Sequence, residues 1–198
     1  MKSSRICIAG GGAAGFFAAI TCAEAVPNAS IVIFEKGPQC LSKVRISGGG
    51  RCNVTHACFD PRDLAAHYPR GERALAGLFT VFQPRDTVAW FSKRGVELKT
   101  EPDGRMFPAS DSSETIVNCL LRSADAAGVS VRLNNGIKRV VSKLGGGFLL
   151  TLDDGSENEC DFLKSHHTCR HVCLVVVRRI GLASNRGLHE AQRRRNQL

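Results

Sequence analysis

The chain has 198 residues, 43% of them hydrophobic, which is enough to bury the core of one domain or of one and a half domains. Its net charge is +9, but residues 164–198 hold eight basic side chains and one acidic one, so residues 1–163 are nearly neutral and nucleic acid is not expected as a partner. No apolar run approaches the roughly 20 residues that span a bilayer, and nine cysteines without a basic and apolar leader predict a reduced, cytoplasmic protein rather than a secreted or membrane one.

The first predicted elements form a βαβ unit over residues 4–36. They are a buried strand at Arg5–Ala9, a helix over Ala13–Ala25 and a second buried strand at Ser30–Phe34. Residues 10–15, between the first strand and the helix, fit the spacing G-x-G-x-x-G, and Glu35 follows the second strand. This acid lies about 20 residues after the last glycine, as a dinucleotide-binding unit requires. Its carboxylate can accept both hydroxyls of a ribose and would repel a 2′-phosphate, which indicates FAD or NAD rather than NADP.

Each small residue of the motif has a physical role in holding a nucleotide. Gly10 allows a tight turn, Gly12 leaves room for a pyrophosphate to approach the backbone, and Gly15 lets the helix pack closely on the strand. The helix N-terminus offers the unpaired amides of Ala13 and Ala14, together with a partial positive charge, to the phosphates.

The next segment favours FAD over NAD. Residues 43–55 have the sequence KVRISGGGRCNVT. This run resembles a family of bacterial flavoproteins described as aminoacetone-oxidase-like or NAD(P)/FAD-dependent oxidoreductases, in which K-x-x-x-S-G-G-G-R-C-N-x-T follows the first βαβ unit. The resemblance extends over residues 4–163 and includes three later runs: YPRG at 68–71, GVELKTE at 95–101 and DGRMFP at 103–108. His56 stands where the family usually has Asn, which puts that one contact in doubt.

The resemblance implies that the flavin or the pyrophosphate of FAD lies along this loop. The residues that it implicates are Lys43, Ser47, Gly48, Gly49, Arg51, Cys52 and Asn53. Three successive glycines expose backbone amides and admit a flat ring, and Arg51 with Lys43 would bring positive charge towards the N1/O2 edge of a reduced flavin. The alternative is a flexible surface loop with incidental basic residues. Cys52 is either a thiol of lowered pKa or, as we favour, a small packing residue.

The middle of the chain predicts a helical region and then a mixed α/β segment. The predicted elements are helices at 72–82 and 85–94, a hairpin of strands 96–100 and 105–107, a helix that starts at 111–114 and is closed by Gly128, a strand at 129–133, and a three-stranded meander at 137–143, 148–152 and from 155 to near 163. By resemblance this order matches the FAD-binding half of glutathione-reductase-like folds, an α/β Rossmann-like domain with a β-meander. Lys36, directly after the predicted ribose-binding acid, and a backbone contact to adenine at Ile137 complete the predicted cofactor site.

Beyond Leu163 the resemblance stops. The family continues with an apolar strand, Ala-Thr-Gly-Gly and a substrate domain, whereas a basic tail follows here. We expect residues 164–198 to be disordered or the non-native product of a shifted reading frame, which makes residues 1–163 a partial FAD-binding domain. One alternative is a basic arm for nucleic acid or a membrane. Another is a zinc site, but its residues lack the paired spacing of known zinc sites, so no metal is predicted: His166, His167, Cys169, His171 and Cys173.

Within the family, FAD would accept a hydride from an unknown small-molecule substrate or from NAD(P)H and pass the electrons onward. We expect the 198-residue chain to bind FAD weakly and to turn over little. The alternative function is a non-catalytic dinucleotide-binding module whose basic tail docks a partner. No residue pattern identifies a catalytic acid, base or nucleophile, and the sequence does not predict an oligomeric state.

Overall fold

A computed structural model describes residues 3–165. The strands are β1 (Arg5–Ala9), β2 (Ser30–Phe34), β3 (Thr55–His56), β4 (Leu98–Thr100), β5 (Arg105–Pro108), β6 (Ser130–Arg132), β7 (Ile137–Ser142), β8 (Phe148–Leu152), β9 (Glu157–Cys160) and β10 (Phe162–Ser165). The helices are α1 (Ala13–Ala25), α2 (Ser42–Ile46), α3 (Pro61–Ala66), α4 (Glu72–Phe79), α5 (Pro84–Ser92) and α6 (Ser113–Ala126), and a 3-10 turn covers Ser47–Gly50.

Four strands form a parallel sheet in the order β10-β1-β2-β6. Cys7, in the centre of β1, pairs with Val32 of β2 on one side and with Leu163 of β10 on the other. The predicted βαβ unit and the predicted strand near residue 130 are therefore confirmed, and the latter joins the parallel sheet beside β2. An all-parallel sheet buries both faces, which explains why β1 and β2 are continuous apolar runs.

The two faces of this sheet pack on different layers. Because side chains alternate along a strand, Ile6 and Ile8 of β1 lie in a core shared with α1 and α6, whereas Cys7 lies in a second core. The second core also contains Phe34 of β2 and apolar residues of the β-meander such as Leu150. The domain is thus a helical layer, a parallel sheet and a meander layer.

Two antiparallel sheets of three strands accompany the parallel sheet. One has the order β3-β5-β4 and contains the predicted hairpin around residues 102–104, and the other is the predicted meander β7-β8-β9. The third meander strand was predicted to run to near Leu163, and this is wrong. The chain bends at Asp161, where its amide donates to the Arg5 carbonyl at 2.9 Å and its carboxylate accepts from the Arg5 amide at 2.8 Å. Two strands result, β9 in the meander and β10 in the parallel sheet.

Strand β10 extends past Leu163. Lys164 and Ser165 were assigned to the basic tail from the sequence, but they pair with Ile8 and Ala9 of β1. The predictions of a zinc site, a basic arm and a shifted reading frame concern residues beyond Ser165 and lie outside the described residues.

The helical region packs on α1 through aromatic side chains. Phe17 of α1 lies 5.3 Å from the ring of Phe82 and 5.1 Å from that of Trp90, measured between ring centroids. The guanidinium of Arg94 lies 3.7 Å from the centroid of Trp90. The two helices predicted here are confirmed as α4 and α5, the second beginning at Pro84. Among residues 3–165, no helix is both long and apolar enough to cross a membrane.

Candidate nucleotide-binding site

The loop between β1 and α1 turns tightly at the carboxyl edge of the parallel sheet. Gly10 has φ +97°, and its amide donates to the carbonyl of Phe34 in β2 at 2.8 Å. A Cβ at Gly15 would lie 2.0 Å from the Gly10 carbonyl oxygen and 3.6 Å from Ile8. The close packing of helix on strand predicted for Gly15 is therefore confirmed.

The N-terminus of α1 is open to solvent at this edge. Gly12 is the N-cap residue, no side chain caps the helix, and its first backbone bond runs from the Phe16 amide to the Gly12 carbonyl at 3.0 Å. Gly12, Ala13 and Ala14 are exposed, and a Cβ at Gly12 would meet nothing within 4 Å. The first-turn amides, with the partial positive charge of the helix, form a surface on which a phosphate can rest.

Glu35 follows β2 and lies against the same loop. Its Oε2 atom accepts from the Gly11 amide at 2.6 Å and its Oε1 atom accepts from the Gly37 amide at 2.8 Å. The carboxylate is thus fixed in place beside the loop between β1 and α1. Because each carboxylate oxygen has a second lone pair, two acceptor positions remain for the hydroxyls of a ribose.

The connection between β6 and β7 lies along the residues that follow β2. The Asn135 amide donates to the Glu35 carbonyl and the Asn134 amide to the Gly37 carbonyl, each at 3.0 Å. Lys36 is exposed, and its stem packs against the backbone that leads into Ile137. The Ile137 side chain is partly buried against the second core, and the residue begins β7, where it pairs with Leu152 of β8. The structure thus brings the predicted site residues from Gly10 to Lys36 and Ile137 to one edge of the sheet.

Two residues that the sequence did not indicate, Leu41 and Cys40, contact Gly11 in the loop between β1 and α1. The Leu41 amide donates to the Gly11 carbonyl at 2.8 Å, and Leu41 itself has φ +60°. The Cys40 thiol is close enough to leave no room for a Cβ at Gly11. Burial and the negative charge of Glu35 raise the pKa of Cys40 to about 11. No sequence signal marks either residue, because their role depends on a backbone path that only the fold defines.

Residues 47–53, called here the Gly-rich loop, have an unusual backbone. Gly48, Gly49 and Gly50 have φ of +56°, +69° and +85°, a region that favours glycine. A Cβ at Gly48 would lie 2.8 Å from the ring of Phe107, whereas one at Gly49 would meet nothing within 4 Å. The Ser47 hydroxyl donates to the Val44 carbonyl at 2.9 Å. Gly49 therefore presents bare backbone to the space above the loop, as the approach of a flat ring would need.

Arg51 in the Gly-rich loop and Lys43 in the preceding helix α2 have different surroundings. The Arg51 guanidinium donates to Glu101 at 2.5 Å, lies 3.6 Å from Asp111 and stacks on Phe107 with 4.1 Å between Cζ and the ring centroid. The hydrogen bond to Glu101 raises the pKa of Arg51 above its usual range. Lys43 is exposed and forms no ion pair within residues 3–165.

Cys52 is a packing residue. Its side chain is only 6% exposed, it belongs to the core shared with α1 and α6, and its amide donates to the Ser47 carbonyl at 2.9 Å. Burial raises the pKa of its thiol above the ordinary value. Its burial in the core supports the packing role rather than the alternative of a thiol with lowered pKa. Asn53, which follows it, is exposed.

A cleft of about 340 Å³ opens at the end of the Gly-rich loop, and the sequence did not predict it. Apart from His56, its lining is uncharged and combines apolar and neutral polar side chains. The lining residues are Asn53, Val54, Thr55, His56, Leu64, Tyr68, Phe79, Phe82, Gln83, Pro84 and Thr87. This volume is within the range of small-molecule sites. No group of three or more His, Cys, Asp or Glu that could hold a metal occurs within residues 3–165.

The parallel sheet, the open helix N-terminus at its carboxyl edge and the accompanying meander define an α/β Rossmann-like FAD-binding domain. The chain belongs to the family of HI0933-like proteins, because residues 4–163 match the Rossmann domain of that family.

Two curated relatives are similar in sequence. The 3-dehydro-bile acid delta(4,6)-reductase of Clostridium scindens is 28% identical over 151 residues, which are 76% of this chain and 36% of that protein. The ribosomal RNA dihydrouridine synthase of Escherichia coli K12 is 29% identical over 146 residues, which are 74% of this chain and 35% of that protein. The chain therefore spans about a third of the length of these relatives.

A solved structure shares the fold. The open conformation of a flavocytochrome c3 fumarate reductase matches with a TM-score of 0.58 and 18% identity, over 83% of this chain and 32% of that chain. At this level of identity the likeness concerns the fold.

Proposed function

We propose that residues 3–165 bind FAD and that the protein is a flavin-dependent oxidoreductase that transfers a hydride between a small molecule and the flavin. One observation carries this proposal: the uncapped N-terminus of α1 opens at Gly12, at the same edge of the sheet as the carboxylate of Glu35. A diphosphate on the first-turn amides and a ribose on the carboxylate would use both groups.

The residues present fit the two ends of FAD. At the adenosine end, the space beside Gly12 is open and Glu35 keeps acceptor positions for two hydroxyls. At the flavin end, Gly49 is exposed with open space where a Cβ would stand, and Lys43 is exposed on α2. When bound, the flavin supplies the hydride chemistry. The protein holds the diphosphate, orients the ring over the Gly-rich loop and leaves the cleft beyond Asn53 for a substrate.

Two lines of support bear on the reaction. The names of both curated relatives describe products in which a ring double bond is saturated, which favours a reductase with NAD(P)H as the electron donor. The run of residues 43–53 also supports the narrower grouping with aminoacetone-oxidase-like flavoproteins, so amine oxidation is the second candidate. Because the cleft is lined almost entirely by uncharged residues and residues 1–163 are nearly neutral, we propose a small uncharged substrate rather than nucleic acid. A cytoplasmic location, suited to nine cysteines, is part of the proposal.

The affinity of the 198-residue chain for FAD is also a proposal. The matched region is about a third of the relatives' length, and the residues described here would hold the adenosine diphosphate half of FAD but only part of the flavin. We therefore propose that this chain alone binds FAD weakly and turns over slowly. Gel filtration followed by the visible flavin spectrum measures the stoichiometry, and retention of one flavin per chain would contradict this part.

Two matched substitutions test the nucleotide site. Gly12→Ala and Gly145→Ala each place a methyl group where no atom lies within 4 Å and where φ is not left-handed, but only the first stands at the edge of the sheet. We expect Gly12→Ala to lower the affinity for ADP and FAD at least about tenfold, because the methyl group occupies the path of the pyrophosphate. We expect both variants to keep the unfolding free energy within about 0.5 kcal/mol of the parent.

Isothermal titration calorimetry measures the ADP affinity, and urea denaturation measures the unfolding free energy. Equal ADP affinity in the parent and in Gly12→Ala would overturn the proposed function. Anaerobic addition of NADH or NADPH to the flavin-loaded chain then tests the donor, since hydride transfer bleaches the visible flavin band. Binding of FAD without any such bleaching would favour the non-catalytic module.

A further inference from the structure

The Gly-rich loop has a backbone that needs external support. Among residues 48–52, the three glycines and Cys52 all have positive φ, +62° for the cysteine. A non-glycine residue in this region is strained, and such a conformation persists only where the surroundings impose it. Burial of Cys52 in the core holds one end of the segment. The other contacts come from the side chain of Arg51.

Arg51 joins the loop to the β4–β5 hairpin. Its guanidinium lies on the ring of Phe107 in β5 and donates to Glu101, which connects the two strands of the hairpin. The same ring closes the space over Gly48, where a Cβ would come within 2.8 Å of it. Phe107 is fully buried, so the stack rests on a fixed surface. The loop is thus clamped at Gly48 and Arg51 against one aromatic ring.

The charge of Arg51 is matched by carboxylates rather than left facing the loop. Glu101 and Asp111 lie 2.5 and 3.6 Å from its Nη1 atom, and their other partners are Arg105 and Lys99. The Arg51 side chain is 34% exposed. These contacts do not favour the prediction that Arg51 brings positive charge to a flavin. Lys43, which has no carboxylate partner within residues 3–165, is the better candidate for that role.

We infer that Arg51 and Glu101 are positioning residues. Their ion pair, packed on Phe107, holds the Gly-rich loop in the conformation that receives the flavin end of FAD, and Arg51 does not itself contact the flavin. This inference rests on the proposed function, because it assigns the loop to the flavin end of a bound FAD.

The test uses Arg51→Gln, Glu101→Gln and the double variant in the full 198-residue chain. Glu159→Gln is the matched control, since Glu159 also pairs with two cations, Arg5 and Lys143, but far from the loop. Quenching of flavin fluorescence gives the FAD affinity, isothermal titration gives the ADP affinity, and hydrogen–deuterium exchange reports on residues 47–53.

We expect each single variant to lower the FAD affinity about 3- to 10-fold, as for a part-exposed, charge-assisted hydrogen bond. The double variant should lose no more than Arg51→Gln alone, because that substitution already removes the ion pair with Glu101. The ADP affinity should stay unchanged, and exchange in residues 47–53 should become faster in all three variants but not in Glu159→Gln.

Direct contact between Arg51 and the flavin predicts a different pattern. Glu101→Gln would then free the guanidinium and leave the FAD affinity equal or higher, while Arg51→Gln would lower it, and that result overturns the inference. If FAD binds too weakly to titrate, exchange alone decides, and unchanged exchange in Glu101→Gln overturns the inference. If Glu101→Gln does not fold, Glu101→Asp, which draws the carboxylate back from Arg51, is judged by the same measurements. Failure of ADP to bind the parent chain defeats the proposed function, whatever the exchange shows.

Discussion

Single glycines in the loop after β1 differ in what a methyl group would meet, and this separates packing from ligand binding. At Gly15 the methyl group would overlap the carbonyl of Gly10, so the residue sets the distance between α1 and β1. At Gly12 the methyl group would stand in open space, so a loss of nucleotide affinity on substitution there would not come from a clash within the protein. The motif predicts these two different roles, and the space around each glycine agrees with its predicted role.

Gly15→Ala should destabilise the fold by about 3 kcal/mol, because α1 must move away from the strand to admit the methyl group. Gly77→Ala is the control, since Gly77 lies within α4 with nothing within 4 Å of its Cβ position. It should gain roughly 0.5–1 kcal/mol from helix propensity. Urea denaturation followed by the fluorescence of Trp90, the one tryptophan of the chain, measures both. Equal changes in unfolding free energy in the two variants would contradict the conclusion that Gly15 sets the distance between α1 and β1.

The Cys40 thiol should contribute a pH-dependent part of the stability. Its pKa in the folded chain is about 11, against an ordinary value of 9.0, because burial and Glu35 disfavour the thiolate. A raised pKa gives stability that is fully present below about pH 9 and is lost as the pH rises through about 11. The difference in unfolding free energy between the parent and Cys40→Ala should therefore shrink over that range.

Denaturation curves recorded as the pH is raised from about 9 to about 11 measure the difference in unfolding free energy between the parent and Cys40→Ala. Cys58→Ala is the control, because Cys58 lies outside both core clusters. Parallel loss of stability in the parent and in Cys40→Ala would contradict the prediction.

At the scale of elements, those with a local sequence signal were predicted from the sequence, whereas short helices and features that depend on distant residues were missed. The strands and helix of the βαβ unit were predicted with the bounds observed, because apolar runs and a glycine fingerprint are local signals. Helices α2 and α3 were missed, since five or six residues are too few to show a period. The bend at Asp161 was missed because its partner, Arg5, is 156 residues away.

The site shows the same division between local and distant information. The glycine positions and Glu35 could be found from spacing alone, and the structure places them at one edge of the sheet. The environment of Arg51 could not, because Glu101 is 50 residues away in sequence and nothing local marks it as a partner. The expected role of the arginine was inferred from its charge, which its neighbours neutralise.

Two substitutions in the Gly-rich loop should separate strain from overlap. Gly49→Ala introduces only a left-handed alanine, which costs about 1–2 kcal/mol of unfolding free energy. Gly48→Ala adds an overlap with the Phe107 ring and the Asn53 amide, so a total loss of about 3 kcal/mol is expected. Thermal denaturation compares them. Gly49→Ala should also lower the FAD affinity more than its effect on stability explains. Equal losses of stability and of FAD affinity in the two variants would contradict the assignment of Gly48 to packing on Phe107 and of Gly49 to the flavin.

At the scale of the whole molecule, the described fold and the charge of the chain are separate. The described parallel sheet and both described cores are built from residues 3–165, whereas seven basic side chains and one acidic side chain lie in residues 166–198. Nucleotide binding and any attraction to polyanions should therefore be separable by truncation.

Deletion of residues 166–198 should leave cooperative unfolding and ADP affinity unchanged, because Glu35 and the N-terminus of α1, which would hold the nucleotide, both lie within residues 3–165. Any salt-dependent binding of the 198-residue chain to RNA should fall sharply, since most of the net positive charge is removed. Filter binding at two salt concentrations and ADP titration measure the two properties. A longer deletion, of residues 164–198, is the comparison, and it should be less stable because it also removes half of β10. Loss of ADP binding on the first deletion would contradict the separation.

The pairing of β1 with β10 also has a consequence for synthesis. β1 leaves the ribosome long before β10, the strand that covers one of its edges and ends at Ser165. Until then that apolar edge has unsatisfied backbone groups and can pair with other chains. Contacts between such distant segments form slowly. The nascent chain should accordingly depend on chaperones during most of its translation, and its yield should respond to the rate of elongation more than to the stability of the finished fold.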